Sequence, residues 1–323
     1  MRLLSTVAFG QGYREQLMSV SMKLTFEPSF VENAVFLAIR RCEEKGSRDL
    51  AQKWHAERNR IYTIKDDQVR NKAFKQLDDQ WLARLGLRTR FEAILNSFSI
   101  LQSDSLIIHI QRALARKDEG SELYVQGDVK TNLVKLQTMR LFEGDYVEKF
   151  LRHEWLHISD MLDPIFQYSP HVVLSGRSEL EDNLIRDRYR LLWDLYVSAR
   201  LLKMGFYILI PLAQQKQFID RAFSKWTAEA REKIFQEILD QKHQTQSDFL
   251  GLARDEKLTV PLGQGGLLCP LCHFTSFDPL DLSAQQDAVI IKKIQRDYPD
   301  WNTDLGICQN CFDLYQSKMR AVG

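Results

Sequence analysis

The chain lacks any apolar run long enough to cross a bilayer: its longest, GFYILIPLA from Gly205 to Ala213, falls far short of the roughly 20 residues a spanning helix needs. It also lacks a charge of one sign. Forty-four Lys and Arg stand against 43 Asp and Glu, a formal net charge of +1 at pH 7, so no global field draws it to nucleic acid or to an anionic membrane surface. No internal repeat and no low-complexity tract is present. No small-residue cleavage pattern follows the short apolar patch after Arg2, so the start reads as mature sequence and the chain as cytoplasmic. Cysteine is scarce, at five residues, which excludes a dense disulfide framework in a chain of 323 residues.

The texture of what is present divides the chain into three regions and predicts an α+β fold. Residues 1–97 read as a helical N-terminal region, with Ser29 and Glu32 spaced as a capping box before Val35, Phe36 and Ile39. Residues 98–254 open with short branched runs, SLIIHIQ, SELYVQ and NLVKLQTMRLF, separated by KDEG and QGD turns, which predicts a small sheet. Helical spacing returns in EGDYVEKFLRHEWLHISDML, where Asp145 is placed to cap and Pro164 limits the run. After the loop QYSPHVVLSGRSE, further helices are expected from about Glu179 to Met204 and over 214–254. Residues 255–268, with Pro261 and three glycines, read as a linker into a C-terminal region, 255–323.

The stretch HEWLH carries the chemistry. A helix sets residues i and i+4 on one face, so His153 and His157 can offer two imidazole nitrogens to one ion, with Glu154 offset to the side. The bland alternative is a pair of part-buried histidines satisfied by their neighbours. A catalytic zinc needs a third protein ligand and an open position for water, which the metal acidifies and a carboxylate deprotonates.

The branched, strand-like region, the HEWLH helix and a later helix with an acidic residue together resemble the zincin superfamily of metallopeptidases, over roughly residues 98–205. That resemblance implies a zinc ion held by His153 and His157, with Glu154 as general base. Asp194 and then Asp163 lead as places for the third ligand, with Asp160 or Asp187 behind them. In a gluzincin-like arrangement it is Asp194, in RYRLLWDLYVSAR, where relatives usually carry Glu. In a metzincin-like reading of HEWLHISDMLD it is Asp163, with Asp160 standing where a turn-forming glycine belongs. Asp160, three residues after His157, is also placed to accept the other ring N–H of a ligand histidine, and Asp187 is a second such candidate. Tyr189 and Arg188 are candidates to stabilise an oxyanion, and Tyr168 and His171 lie on the following loop, where substrate contacts often arise.

The C-terminal region carries LLCPLCHF and GICQNCF. Each brings two thiols onto a tight turn, and Cys269, Cys272, Cys308 and Cys311 together make the four-thiolate set that structural zinc prefers. The pattern resembles a zinc ribbon over 265–315, with AQQDAVIIKKIQRDYPDW as an inserted helix; a redox pair is the competing reading, and His273 a substitute ligand. Lys292, Lys293 and Arg296 form a small basic cluster, which most often is only a solvated face.

The expectation is a zinc metallopeptidase acting on peptide or protein substrates, with one catalytic and one structural Zn2+, no membrane and no nucleic-acid partner. Its rival is a catalytically inactive adaptor, stabilised by zinc, that binds a protein or nucleic-acid partner through the ribbon.

Overall fold

Alternation in the run Leu106–Arg112 sets Leu106, Ile108 and Ile110 on a buried face, and the run becomes the second strand of a mixed four-stranded sheet. In chain order the strands are β1 (Leu24–Phe26), β2 (Leu106–Arg112), β3 (Gly120–Gln126) and β4 (Val129–Leu136). Their spatial order is β1-β2-β4-β3. β2 is parallel to β1 and β4, whereas β3 runs antiparallel to β4 as the sheet edge, opposite Leu133 at Glu122. The QGD turn closes that hairpin with Gly127 at φ 59°, the left-handed conformation a two-residue connection favours. Inside the hairpin Asn132 is buried and donates to Ser121 Oγ at 2.6 Å. The computed structural model describes residues 24–172, 174, 179–254, 267–272, 275, 276, 280, 282, 288–299 and 301–320.

Four helices follow β1: α1 (Pro28–Glu44), α2 (Arg48–Ile61), α3 (Asp67–Arg84) and α4 (Leu87–Leu95). The capping box expected from Ser29 and Glu32 does not form. Proline at the first helical position starts α1 earlier, with Glu27 as its N-cap, because the fixed φ of Pro28 suits the first turn. The Glu27 carboxylate instead accepts from the Arg112 backbone N–H at 2.9 Å. Phe26, Phe30 and Phe91 meet with centroids 5.3 to 6.2 Å apart, packing β1, α1 and α4 together. The helical region and the sheet therefore share one compact unit, comprising described residues 24–224 and 228–254.

The rest of that unit is α5 (Tyr146–Leu162), α6 (Glu179–Lys203), α7 (Leu212–Ala222), α8 (Ala228–Leu239) and α9 (Gln246–Arg254). Asp145 is the N-cap residue of α5, but its carboxylate pairs with Lys149 at 2.8 Å and not with a helix N–H. Pro164 ends the helix one residue after its C-cap, Asp163. No helix among the described residues is long and apolar enough to cross a membrane.

The second unit holds residues 225–227 and those described from 267 onward. Strands β5 (Leu267–Leu268) and β6 (Thr275–Ser276) pair antiparallel, followed by α10 (Ala288–Asp297) and α11 (Gln309–Arg320). The helix expected between the cysteine pairs is α10. Ile290 and Ile294 of that helix join Leu271, Leu282, Trp301, Ile307, Phe312 and Tyr315 in a small core with three of the cysteines. Lys292 and Arg296 are exposed on it, and Arg296 pairs with Asp297, so the basic cluster is a solvated face. Most of the linker, 255–266, and His273 lie outside the described residues.

Candidate metal centres

Helix α5 is enclosed on nearly every side between Phe150 and Asp160, and this makes the polar members of HEWLH unusual. His153 is 8% exposed, Glu154 9% and His157 3%. A polar side chain in such a place needs a partner or a task. The two imidazoles have the same partner. His157 Nε2 lies 2.9 Å from Asp194 Oδ1 on α6, and His153 Nε2 lies 3.4 Å from the same oxygen. All three ligand atoms fall within 4.8 Å of one another. Tetrahedral zinc with bonds of about 2.0–2.1 Å spaces its ligands about 3.3–3.4 Å apart, so the donor set fits such an ion with small adjustments.

Electrostatics points the same way. Burial alone would raise the Asp194 carboxyl, but hydrogen bonds to His153 and His157 outweigh it and hold the group well below the usual carboxylate range. Burial likewise works against a charged His153, and Asp194 reverses that, leaving the imidazole above its ordinary value. The Asp194 side chain is 39% exposed, so solvent screens part of this attraction, and the cluster is reachable from that side while the imidazoles are not. Glu154 sits next to His153 in the chain, and its Oε2 has no hydrogen-bond partner among the described residues.

The structure thus brings His153, His157 and Asp194 together and leaves the other acidic candidates elsewhere. Asp163 caps α5 and its Oδ1 accepts from Ile165 N at 2.9 Å, the two-residue turn an aspartate before proline favours; it is not in the cluster. Asp160 does not take a ring N–H of either histidine. It is 1% exposed and accepts from the Trp193 indole at 2.8 Å and from the Arg200 guanidinium. Asp187 is largely exposed, pairs with Arg190 three residues on and is not in the cluster.

Among the other candidates, Arg188 is pinned to backbone: it donates to Ala222 O at 3.0 Å and Ala253 O at 3.4 Å and covers the Phe223 ring. Tyr189 is buried, its ring 5.5 Å from Trp193, and burial pushes its hydroxyl well above the usual phenol range, with Asp194 adding to the effect. Tyr168 lies 5.9 Å from Trp193, and burial pushes its hydroxyl up to about 12. His171 is exposed and outside the cluster. The loop bearing Tyr168 is held by Gln246 of α9, which accepts from Ser169 N at 2.6 Å and donates to Ser169 O at 3.0 Å, while its own N–H reaches Phe166 O. Sequence reasoning did not single out Trp193, Arg200 or Gln246. For Trp193 the only signal was its place directly before Asp194.

In the second unit the four cysteines are free thiols drawn together: Cys269 and Cys311 Sγ are 3.9 Å apart, and Cys272 and Cys308 Sγ 3.6 Å. Thiolates about 2.3 Å from a tetrahedral ion are about 3.8 Å from each other, which these separations bracket. Burial would raise the Cys269 thiol, yet backbone N–H groups of Cys308, Cys272 and Leu271 outweigh it and bring it to about 7. Cys311 goes the other way, raised by burial and by the neighbouring sulfurs. One thiolate is stabilised while its neighbour resists ionising beside it, a conflict that a divalent cation relieves. Both clusters can hold a metal ion. The chain matches no protein-family profile, no curated protein and no solved structure.

Proposed function

We propose that the protein is a zinc-dependent metallopeptidase of zincin-like architecture, with a second, structural zinc in a C-terminal ribbon. The observation that carries this reading is the convergence of His153, His157 and Asp194, with a buried carboxylate, Glu154, beside them that lacks a partner for Oε2. An inert core cluster would have little reason to keep a partnerless carboxylate oxygen out of water.

The residues that would hold the catalytic ion are His153 and His157 through Nε2 and Asp194 through Oδ1; Cys269, Cys272, Cys308 and Cys311 would hold the structural one. A zinc ion held at the first site would supply Lewis acidity toward a peptide carbonyl and toward water. Glu154, beside His153 in the chain, would take the proton of the attacking water and deliver it to the leaving amine. Tyr168 lies on the Trp193 side of the site and is part-exposed, so its hydroxyl is the one placed to meet substrate, whereas that of Tyr189 is buried. Edge strand β3 packs against α5, and an extended peptide added to such an edge would lie beside the helix that carries the histidines.

Glu154→Gln tests the mechanism. The variant should keep two zinc ions per chain and lose hydrolysis of unfolded protein substrates by at least about 100-fold, the weight a general base usually carries. His153→Ala should lose one ion and keep the other. A single zinc in the wild-type chain, held only by cysteines, would replace the peptidase with the adaptor reading, and undiminished hydrolysis in Glu154→Gln would remove that residue from the mechanism.

A further inference from the structure

A histidine that binds a metal must have its ring plane fixed, and the usual device is a carboxylate or carbonyl accepting a hydrogen bond from the other ring nitrogen. His157 lacks it: Nδ1 has no hydrogen-bond partner among the described residues, although the ring is 3% exposed. What meets the imidazole instead is an indole. The Trp193 ring stands edge-on to His157, with centroids 4.5 Å apart and planes at 83°, at the close end of the range for aromatic pairs.

We propose that Trp193 is the positioning residue for His157, fixing the imidazole by ring contact where a hydrogen bond is missing; the proposal rests on the metal site described above. The indole is itself immobilised. Phe166 stacks on it at 5.0 Å and 21°, Tyr189 and Tyr168 flank it, and its Nε1 donates to Asp160 at 2.8 Å. Asp160 stands one helical turn beyond His157 on α5, and Arg200, two turns beyond Trp193 on α6, occupies its other oxygen. The acceptor that sequence spacing offered to the histidine thus acts on it through the tryptophan.

The arrangement forms a closed circuit between two helices. His157 meets Asp194, Asp194 follows Trp193 in the chain, Trp193 bonds Asp160, and Asp160 is on the helix of His157. A turn of α6 about its axis would disturb the carboxylate ligand and the ring contact together. Trp193 is fully enclosed, so the competing explanation is plain core packing.

The experiment uses the full-length, zinc-loaded protein and Trp193→Leu, Trp193→Phe and the packing control Trp155→Leu, whose indole is equally buried on α5 but faces Phe98. Zinc affinity at the histidine site is measured by chelator competition, with the cysteine-bound ion as internal reference, and the visible spectrum of the Co2+-substituted site is recorded. Trp193→Leu should weaken the histidine site about 10- to 100-fold, the usual effect of losing a group that orients a ligand, and alter the cobalt bands. Trp193→Phe, which keeps a ring, should lose less, and Trp155→Leu should lower the melting temperature with affinity unchanged. Wild-type affinity in Trp193→Leu, or equal losses in Trp193→Leu and Trp155→Leu, would overturn the proposal. If Trp193→Leu does not fold, Trp193→Phe decides, with unchanged affinity and cobalt spectrum as the refuting result. Failure of the peptidase reading looks different: the wild-type histidine site binds zinc and responds to Trp193 while Glu154→Gln hydrolyses as before.

Discussion

Replacing Asp78 with asparagine should stabilise the folded protein at neutral pH and leave it nearly unchanged in acid. Asp78 on α3 is 5% exposed, its closest cation is Arg58 at 3.9 Å, and its Oδ1 has no hydrogen bond among the described residues. Arg58 is divided between this carboxylate, Glu32 and the rings of Trp54 and Phe74. Burial, reinforced by Glu32 and Asp79 and only partly offset by Arg58, pushes the Asp78 carboxyl from its ordinary 3.8 up to about 6. The folded state therefore binds this proton more tightly than the unfolded chain does. Stability falls as pH rises from the unfolded value toward the folded one, and the deficit, about 3 kcal/mol for a group displaced this far, is complete above about pH 6. Asparagine mimics the protonated form at every pH. In urea unfolding followed by circular dichroism, Asp78→Asn should match wild type within about 0.5 kcal/mol near pH 4 and exceed it by about 2–3 kcal/mol near pH 7.5. Other titrating groups cancel in that comparison. A stability difference that is the same at both pH values, or a variant weaker at pH 7.5, would show that the ionised Asp78 is well served where it lies.

Two further outcomes follow from the sites. With the zinc proposed at the four cysteines, Cys308→Ser or treatment with a strong chelator should collapse the small core around Trp301, Ile307 and Phe312, because a structural zinc supplies on the order of 10 kcal/mol to small metal-held domains; limited proteolysis should then cut beyond residue 267 and spare the first unit. Arg188→Met should lower the melting temperature, at a cost of about 1–3 kcal/mol for the two carbonyls it leaves behind, without changing the kcat of the proposed hydrolysis, since the guanidinium serves α7 and α9; a loss of kcat with stability intact would place Arg188 in the proposed mechanism.

Legibility in the sequence followed the range of the interaction. The α+β class, the HEWLH helix and the Cys-x-x-Cys turns were visible because each is written in contiguous residues with a fixed period or spacing. β1 was not, since three residues cannot display alternation, and its place beside β2 depends on a pairing of Leu24 with Ile108 far along the chain. The Ser29–Glu32 box does not form because Pro28 sets the helix start two residues earlier than the polar pattern suggests. The third ligand was ambiguous for a similar reason. Asp163 and Asp194 both satisfied a spacing rule, and only the approach of α6 to α5 separates them. The Asp160 carboxylate meets Trp193 and Arg200 and not a histidine, because a helix face tells which residues are near one another and not which donor arrives from a second helix.

The glutamine fork on Ser169 spans 77 residues of chain. A growing polypeptide that has emerged only as far as α8 already owns both imidazoles and the carboxylate, yet the segment bearing Tyr168 has only its ring contacts with Trp193 and lacks the hydrogen bonds of Gln246. Maturation of this wall must wait for the last helix of the unit. Loop closure over such a span is slow to be rewarded, so the Tyr168 side of the histidine cluster is expected to be the last part of the domain to set during synthesis and the first to loosen on truncation.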